Sequence, residues 1–246
     1  MNIDLSECSA RFHIKRGSGV VWVEGQVANN REHKHHALQI TWSAPDTQAT
    51  LALEDTSISG ACLVIEGGVP HTLSLERGLI ALIDSTSPLA VRVRGKHLDK
   101  SEWTVLEGFD WSGDFADAEA MLDALVGDEP ATALDARVRE VLDWLDTLED
   151  EQRWAQVSLD GALRIAHLSR GRFLHLFSQE VRSPWRTYLI WRRALVAMAL
   201  VSGGKNLTDA AHASGYADSA HLSRQFSSLF GVTPGDFAKN SHFLQS

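Results

Sequence analysis

Two hydrophobic rhythms divide this chain. Up to about residue 100, apolar residues gather in short runs: Val20–Val23, Ala37–Trp42, Cys62–Glu66, Leu79–Ile83 and Ala90–Arg94. The runs are rich in Val, Ile, Leu and Trp, and Gly, Pro, Asn, Asp and Ser separate them roughly every ten residues. That rhythm predicts strands of a small antiparallel sandwich or barrel. After about Trp103 the apolar spacing changes to three and four. Phe115, Ala118, Met121, Leu122 and Leu125 mark one face of a helix over Asp114–Val126. Gly127-Asp128-Glu129-Pro130 stops it, and a second amphipathic helix runs from Leu134 to Leu148 through Val138, Val141, Leu142 and Leu145. The remainder reads as helices with short breaks. The expected fold class is therefore α+β in two domains, 1–127 and 131–246, with the boundary near Gly127–Ala131.

The helical half holds a two-fold repeat. Leu159 matches Leu207, Phe177 matches Phe226 and Pro184 matches Pro234. Two copies are too few for a solenoid, but they suit a duplicated helix-turn-helix. In the second copy Leu207–Ala213 is a short alanine-rich helix and Gly215 supplies a residue tolerant of positive φ at the turn. Tyr216 anchors the turn, and Asp218 or Ser219 offers an N-cap oxygen. The next helix, about Ala220–Leu229, turns Leu222, Phe226 and Leu229 inward. It leaves Ser219, His221, Arg224 and Gln225 facing base edges and phosphates. The first copy places Ser169 as N-cap, Arg170, Arg172 and His175 on the polar face, and Phe173, Leu176 and Phe177 inside. His167 stands where the turn glycine belongs, which predicts a strained or altered turn. Between the copies, Pro184–Ser202 reads as one helix of about 19 residues, roughly 28 Å long. Adjacent major grooves on one face of a duplex lie roughly 34 Å apart, so one chain could read two helical turns. Arg192 and Arg193 on this helix read as phosphate or salt-bridge residues.

Charge changes this picture less than it first suggests. The net charge is −9. Residues 1–130 carry 20 acidic and 10 basic residues, whereas 158–246 carry 10 basic and 5 acidic. Phosphate contacts are made by local Lys and Arg, not by the chain average. The two cysteines, Cys8 and Cys62, form neither a disulfide framework nor a zinc motif. The N-terminus lacks the pattern of a signal peptide, and no apolar stretch approaches the roughly 20 residues of a membrane span. The expected location is the cytoplasm, with no membrane association.

The run Leu207-Thr-Asp-Ala-Ala-His-Ala-Ser-Gly-Tyr-Ala-Asp-Ser-Ala-His-Leu-Ser-Arg-Gln-Phe226, followed by Phe230-Gly-Val-Thr-Pro234 and Phe237, resembles the signature of the AraC/XylS family of bacterial regulators. The resemblance covers residues 135–237. The first copy departs from it at His167, at Arg182 where glycine is common, and in the order Ala162-Leu163; Phe237-Ala238 replaces the common aromatic-Arg pair. The resemblance implies promoter binding with both recognition helices in the major groove, governed by an N-terminal domain. That N-terminal half resembles the cupin-like sensing domains of such regulators, through His33-Lys-His35 followed by Gln39, and through Gly60, Glu66, Gly68 and His71. It implies an effector pocket that includes Trp22, His33, His35, Gln39, Trp42 and His71.

His33 and His35 alternate along an expected strand and so share a face. With His71 they could converge on a divalent metal, leaving positions open for water or substrate. A ligand carboxylate is missing from the pattern, so no metal or other cofactor is assigned; His33, His35 and His71 are the candidates for one. No nucleophile elbow, P-loop or dinucleotide fingerprint occurs, and no catalytic residue is assigned. The expected partners are double-stranded promoter DNA, a small-molecule effector, RNA polymerase if the protein activates, and a second copy docked through the helix at Asp114–Val126. The alternatives are a metal-dependent cupin enzyme with a helical appendage, or a module whose helical half binds another protein.

Overall fold

The computed structural model describes residues 10–15, 19–27, 30–126, 133–150, 153–236 and 241–243. Cys8, the segment Gly127–Ala131 and the pair Phe237-Ala238 lie outside them. The chain divides into two compact units, one formed by residues 1–131 with 227–246, the other by 132–226. Residues 227–236 and 241–243 fall with the first unit in this division.

The first unit is a nearly closed barrel, antiparallel throughout except that its last strand joins its first in parallel. Its strands are β1 (Ala10–Lys15), β2 (Val20–Val27), β3 (Leu38–Ser43), β4 (Ala49–Ala52), β5 (Ser57–Gly60), β6 (Cys62–Ile65), β7 (Thr72–Ile83), β8 (Trp103–Leu106) and β9 (Ser241–Phe243). The main path runs β8-β6-β3-β7-β2-β1-β9, with β4 joining β5 to β7. The long strand β7 organises the barrel. One edge pairs with β2 along most of its length. The other pairs with β4 through Thr72–Ser74 and with β3 through Gly78–Ile83.

One segment read as a strand is a helix. Ala90–Arg94 lies within α1 (Pro88–His97). Ser87 is its N-cap, and its hydroxyl accepts from the Ala90 N–H at 3.1 Å. Pro88 sits at the first turn, where the missing N–H costs nothing, and Arg94, Lys96 and His97 oppose the dipole in the last turn. The Ser-Pro start outweighed the β-branched run. The helix expected from Asp114 is present as a 3-10 turn, Phe115–Asp117, leading into α2 (Ala118–Val126), with Asp114 capping the turn.

Strand β3 is buried along its whole length, and its two faces differ. Leu38, Ile40 and Trp42 join Trp22, Val64, Leu79 and Ile83 in a core closed by Val93 of α1 and by Leu122 and Leu125 of α2. Each such side chain contributes roughly 1.5–3 kcal/mol when fully buried. Gln39, Thr41 and Ser43 have the opposite parity and point to the other face.

The second unit is helical: α3 (Ala136–Asp150), α4 (Leu159–Ala166), α5 (Arg170–Val181), α6 (Trp185–Ser202), α7 (Leu207–Ala213) and the start of α8 (Ser219–Phe230). Val138, Val141 and Leu145 of α3 are fully buried, as are Phe173 and Phe177 of α5. Trp185 of α6 meets Phe173 and Phe177 edge-on, with ring centroids 5.3 and 5.0 Å apart.

Candidate nucleic-acid interface and buried histidine site

In the second helix-turn-helix, α7 starts at Asn206, whose side chain accepts from the Asp209 N–H at 2.9 Å. Gly215 follows at φ +79, and the Tyr216 N–H closes the turn on the Ala211 carbonyl at 2.9 Å. The cap left open between Asp218 and Ser219 is Asp218, whose Oδ1 accepts from the His221 N–H at 2.6 Å. Leu222 and Phe226 are buried and Arg224 is exposed. Ser219, His221 and Gln225 are partly exposed, and the His221 ring stands edge-on to Tyr216 at 5.4 Å.

The first helix-turn-helix has the same construction. Ser158 caps α4 by accepting from the Gly161 N–H at 3.1 Å. His167 adopts φ 52 and ψ 38, the left-handed geometry of a turn glycine, and its N–H returns to Leu163. The turn is therefore kept, with the strain carried by the backbone of His167. Arg182 does the same at the end of α5, at φ 56. Ser169 holds the N-cap position of α5, but its hydroxyl makes no cap bond. Ser169, Arg170, Arg172 and His175 are all exposed, while Phe173 and Phe177 are buried.

Arg192 belongs to the scaffold. Its guanidinium donates to Asp146 at 2.7 Å, to Glu149 at 2.6 Å and to the Tyr188 hydroxyl at 3.1 Å. It also lies 5.7 Å from the Trp154 ring centroid. Burial opposes its charge, but Tyr188, Glu149 and Asp146 more than offset this and hold its pKa well above the ordinary value. Arg193 is partly buried, and that burial lowers its pKa.

Of the six residues expected to form an effector pocket, the barrel brings four together. His33, His35 and His71 are 7%, 4% and 1% exposed, with ring centroids 4.4 to 5.8 Å apart. Gln39 touches His35. Trp22 and Trp42 stack on each other at 6.0 Å in the core beneath the helices. Trp42 and Gln39 are three apart on one strand, so they cannot share a face. Trp42 instead contributes to a cleft of about 350 Å³ beside α2, lined also by Phe109, Asp110, Asp117 and Met121. Glu66 is committed elsewhere, in a paired hydrogen bond to Arg94. Sequence reasoning had not found that pair, because 28 residues separate its members.

The backbone prepares the histidines. His33 and His71 form an antiparallel bridge, each N–H donating to the other's carbonyl at 3.0 Å. The three Nδ1 atoms lie against carbonyls: Arg31 at 2.9 Å, Ala37 at 3.0 Å and Val69 at 2.9 Å. In His33 and His71 the Nδ1 therefore carries the proton, and the Nε2 keeps its lone pair. Burial, reinforced by the neighbouring rings, lowers the pKa of His33 to about 4 and that of His35 well below its ordinary value. Burial lowers His71 as well. All three are neutral at pH 7. The Nε2 of His71 is buried without a hydrogen-bond partner. For His35, Nε2 lies 3.1 Å from Gln39 Oε1, so a ring with one proton faces two oxygen acceptors. Ligand nitrogens of the three residues lie within 4.8 Å of one another. A tetrahedral site with bonds of about 2.0–2.1 Å sets its nitrogens roughly 3.3 Å apart, within reach of small ring rotations. These residues fit a divalent metal.

Residues 163–240 match the model of a family described as a helix-turn-helix domain. No curated protein matches the chain. Among solved structures it is similar to ToxT from Vibrio cholerae, at 12% identity and a TM-score of 0.54, covering 90% of this chain and 98% of that one. A second ToxT structure, described as bound to an unsaturated fatty acid, gives 14% identity and a TM-score of 0.53, covering 92% and 97%. The segment is a helix-turn-helix domain of the AraC type, and the chain has the two-part fold of ToxT.

Proposed function

We propose that this protein is a sequence-specific transcription regulator whose barrel unit binds a small effector. The duplicated helix-turn-helix carries the reading: each copy buries an apolar stripe, Phe173 and Phe177 in one and Leu222 and Phe226 in the other, and leaves an arginine-bearing polar face open, at Arg170 and Arg172 and at Arg224. Guanidinium groups at such positions suit bidentate contact with guanine, while the flanking Ser169, His175, Ser219, His221 and Gln225 suit phosphates and other base edges. The 18 residues of α6 span roughly 27 Å, which suits readers in adjacent grooves. ToxT, which shares the fold, has been seen with a fatty acid, and this supports control of the present chain by a small effector. Action on DNA in the cytoplasm is part of this proposal, and no described helix is long and apolar enough to cross a membrane. RNA polymerase contact and a dimer through α2 belong to the same proposal.

Gel shift across a salt series, using DNA upstream of the protein's own gene and unrelated competitor, tests the reading. Specific binding with affinity falling steeply as salt rises is expected. Binding that competitor abolishes equally at every sequence would refute it. The second reading, a metal-dependent enzyme, is favoured only by the buried histidines. It requires turnover that disappears on metal removal.

A further inference from the structure

We propose that His33, His35 and His71 bind a divalent transition metal as the regulator's effector, and that occupancy is transmitted through Arg31 to Gly231, the residue that follows α8. The effector role rests on the regulatory reading above; the metal site does not.

Three neutral imidazoles favour zinc, cobalt, nickel, copper or ferrous iron over magnesium or calcium, which prefer all-oxygen sites. Two observations ask for a cation. The Nε2 of His71 is buried without a partner. Two oxygen acceptors, Ala37 O and Gln39 Oε1, compete for the single proton of His35. A cation between the rings would take the lone pairs of His71 and His35 together and use Gln39 Oε1 or a water as its fourth ligand. The three Nδ1–H bonds to backbone carbonyls are the supporting contacts that fix ligand histidines in orientation.

Transmission follows from where those carbonyls lie. The carbonyl that orients His33 is that of Arg31. The N–H of the same residue donates to the Gly231 carbonyl at 3.2 Å. Asn30, one position earlier, accepts from the Leu73 N–H at 2.9 Å, and Leu73 is two residues beyond His71. Residues 30–33 are thus held at one end by β7, which starts at the residue after His71, and meet Gly231 at the other. Gly231 is at φ +71, and a Cβ there would stand 2.6 Å from the Arg31 carbonyl oxygen. All of these residues lie in the same compact unit. A His33 ring that turns to ligate carries its Nδ1–H, the Arg31 peptide and the bond to Gly231 with it.

The test uses the full chain freed of metal by a chelator. Titration with Co(II) is expected to give the visible absorption of a low-symmetry nitrogen site and one ion per chain. The signal should be lost in His71→Ala and weakened at least tenfold in His33→Gln, with circular dichroism confirming that both variants fold. Absence of the absorption, or its persistence unchanged in both variants, overturns the metal site even if DNA binding is normal. Hydrogen exchange with and without Zn(II) reads the transmission independently of DNA: residues 30–36 and 227–236 should both slow. Slowing confined to 30–36 overturns the Arg31 route. Arg31→Pro, which lacks the donor N–H, should keep the Co(II) signal and lose the slowing at 227–236. Zn(II) should also shift affinity for the upstream DNA by at least roughly fivefold, the lower end of usual allosteric coupling. An ion bound with no such shift overturns the effector role, and an ion bound by a protein that has no DNA site refutes the regulatory reading instead.

Discussion

Arg192→Ala separates a scaffold residue from a DNA contact. The Arg192 side chain is 11% exposed, against 26% for Glu149 and 61% for Asp146. Breaking a fully buried ion pair costs about 3–5 kcal/mol. Here the stranded carboxylates can rehydrate, so the Glu149 pair contributes nearer about 2 kcal/mol and the exposed Asp146 pair about 0.5 kcal/mol. Loss of the Trp154 and Tyr188 rings adds about 0.5–1 kcal/mol. The expected loss is about 3 kcal/mol in the helical unit. For a unit of this size that is a fall in Tm of roughly 12–24 °C. Urea unfolding followed by tryptophan fluorescence reads it directly, because Trp154 lies against the guanidinium. The folded fraction should keep the salt dependence of DNA binding. A stability loss below about 1 kcal/mol, together with a salt slope reduced by about 1, would place Arg192 on a phosphate and refute the reasoning.

Three further outcomes are expected. Arg170→Ala and Arg224→Ala should each weaken specific binding by about 1–3 kcal/mol while leaving stability within about 0.5 kcal/mol; equal affinity in gel shift for both variants would remove these assignments. His167→Gly and Arg182→Gly should each stabilise the helical unit by about 0.5–1 kcal/mol, because a left-handed L-residue is relieved of a strain of about 1–2 kcal/mol and the gain is partly lost to the freer unfolded chain. A lower Tm would contradict this. Acid should destabilise the metal-free barrel through His33: the unfolded residue takes its proton near 6.5, the folded one not until about 4. Protons therefore favour the unfolded chain between those values. The His33 contribution is intact above about 6.5 and falls by up to roughly 1.4 kcal/mol per pH unit as pH drops through the window, in addition to the falls from His35 and His71, whose pKa values are lowered too; a fall in His33→Gln as steep as in the parent protein would assign the effect elsewhere.

The sequence was most legible where local chemistry decides. Spacing and caps place α2, α3 and α6 to within a few residues, and the glycine position occupied by His167 marks a strained turn, which the structure shows as left-handed. The apolar runs of β2, β3, β6 and β7 were found. Strands β1, β4, β5, β8 and β9 were not: Ala49–Ala52 and Ser57–Gly60 carry little apolar signal, and Trp103–Leu106 falls where the rhythm changes. Ala90–Arg94 is ambiguous because a short run of Ala, Val and Arg suits either element, and the Ser87-Pro88 start decides for the helix. The expected pocket mixed residues of opposite strand parity, Gln39 with Trp42, so half of what alternation could have told was unused. The bonds that orient the histidines were not legible: they run to the carbonyls of Arg31, Ala37 and Val69, and backbone acceptors leave no mark in side-chain identity.

Hydroxyl-radical footprinting of the full chain on the DNA upstream of its own gene tests the central claim most directly. The account predicts protection on one face of the duplex over two successive helical turns, with one turn lost in Arg170→Ala and the other in Arg224→Ala. Protection of a single turn that neither substitution alters, or protection independent of sequence, would contradict it.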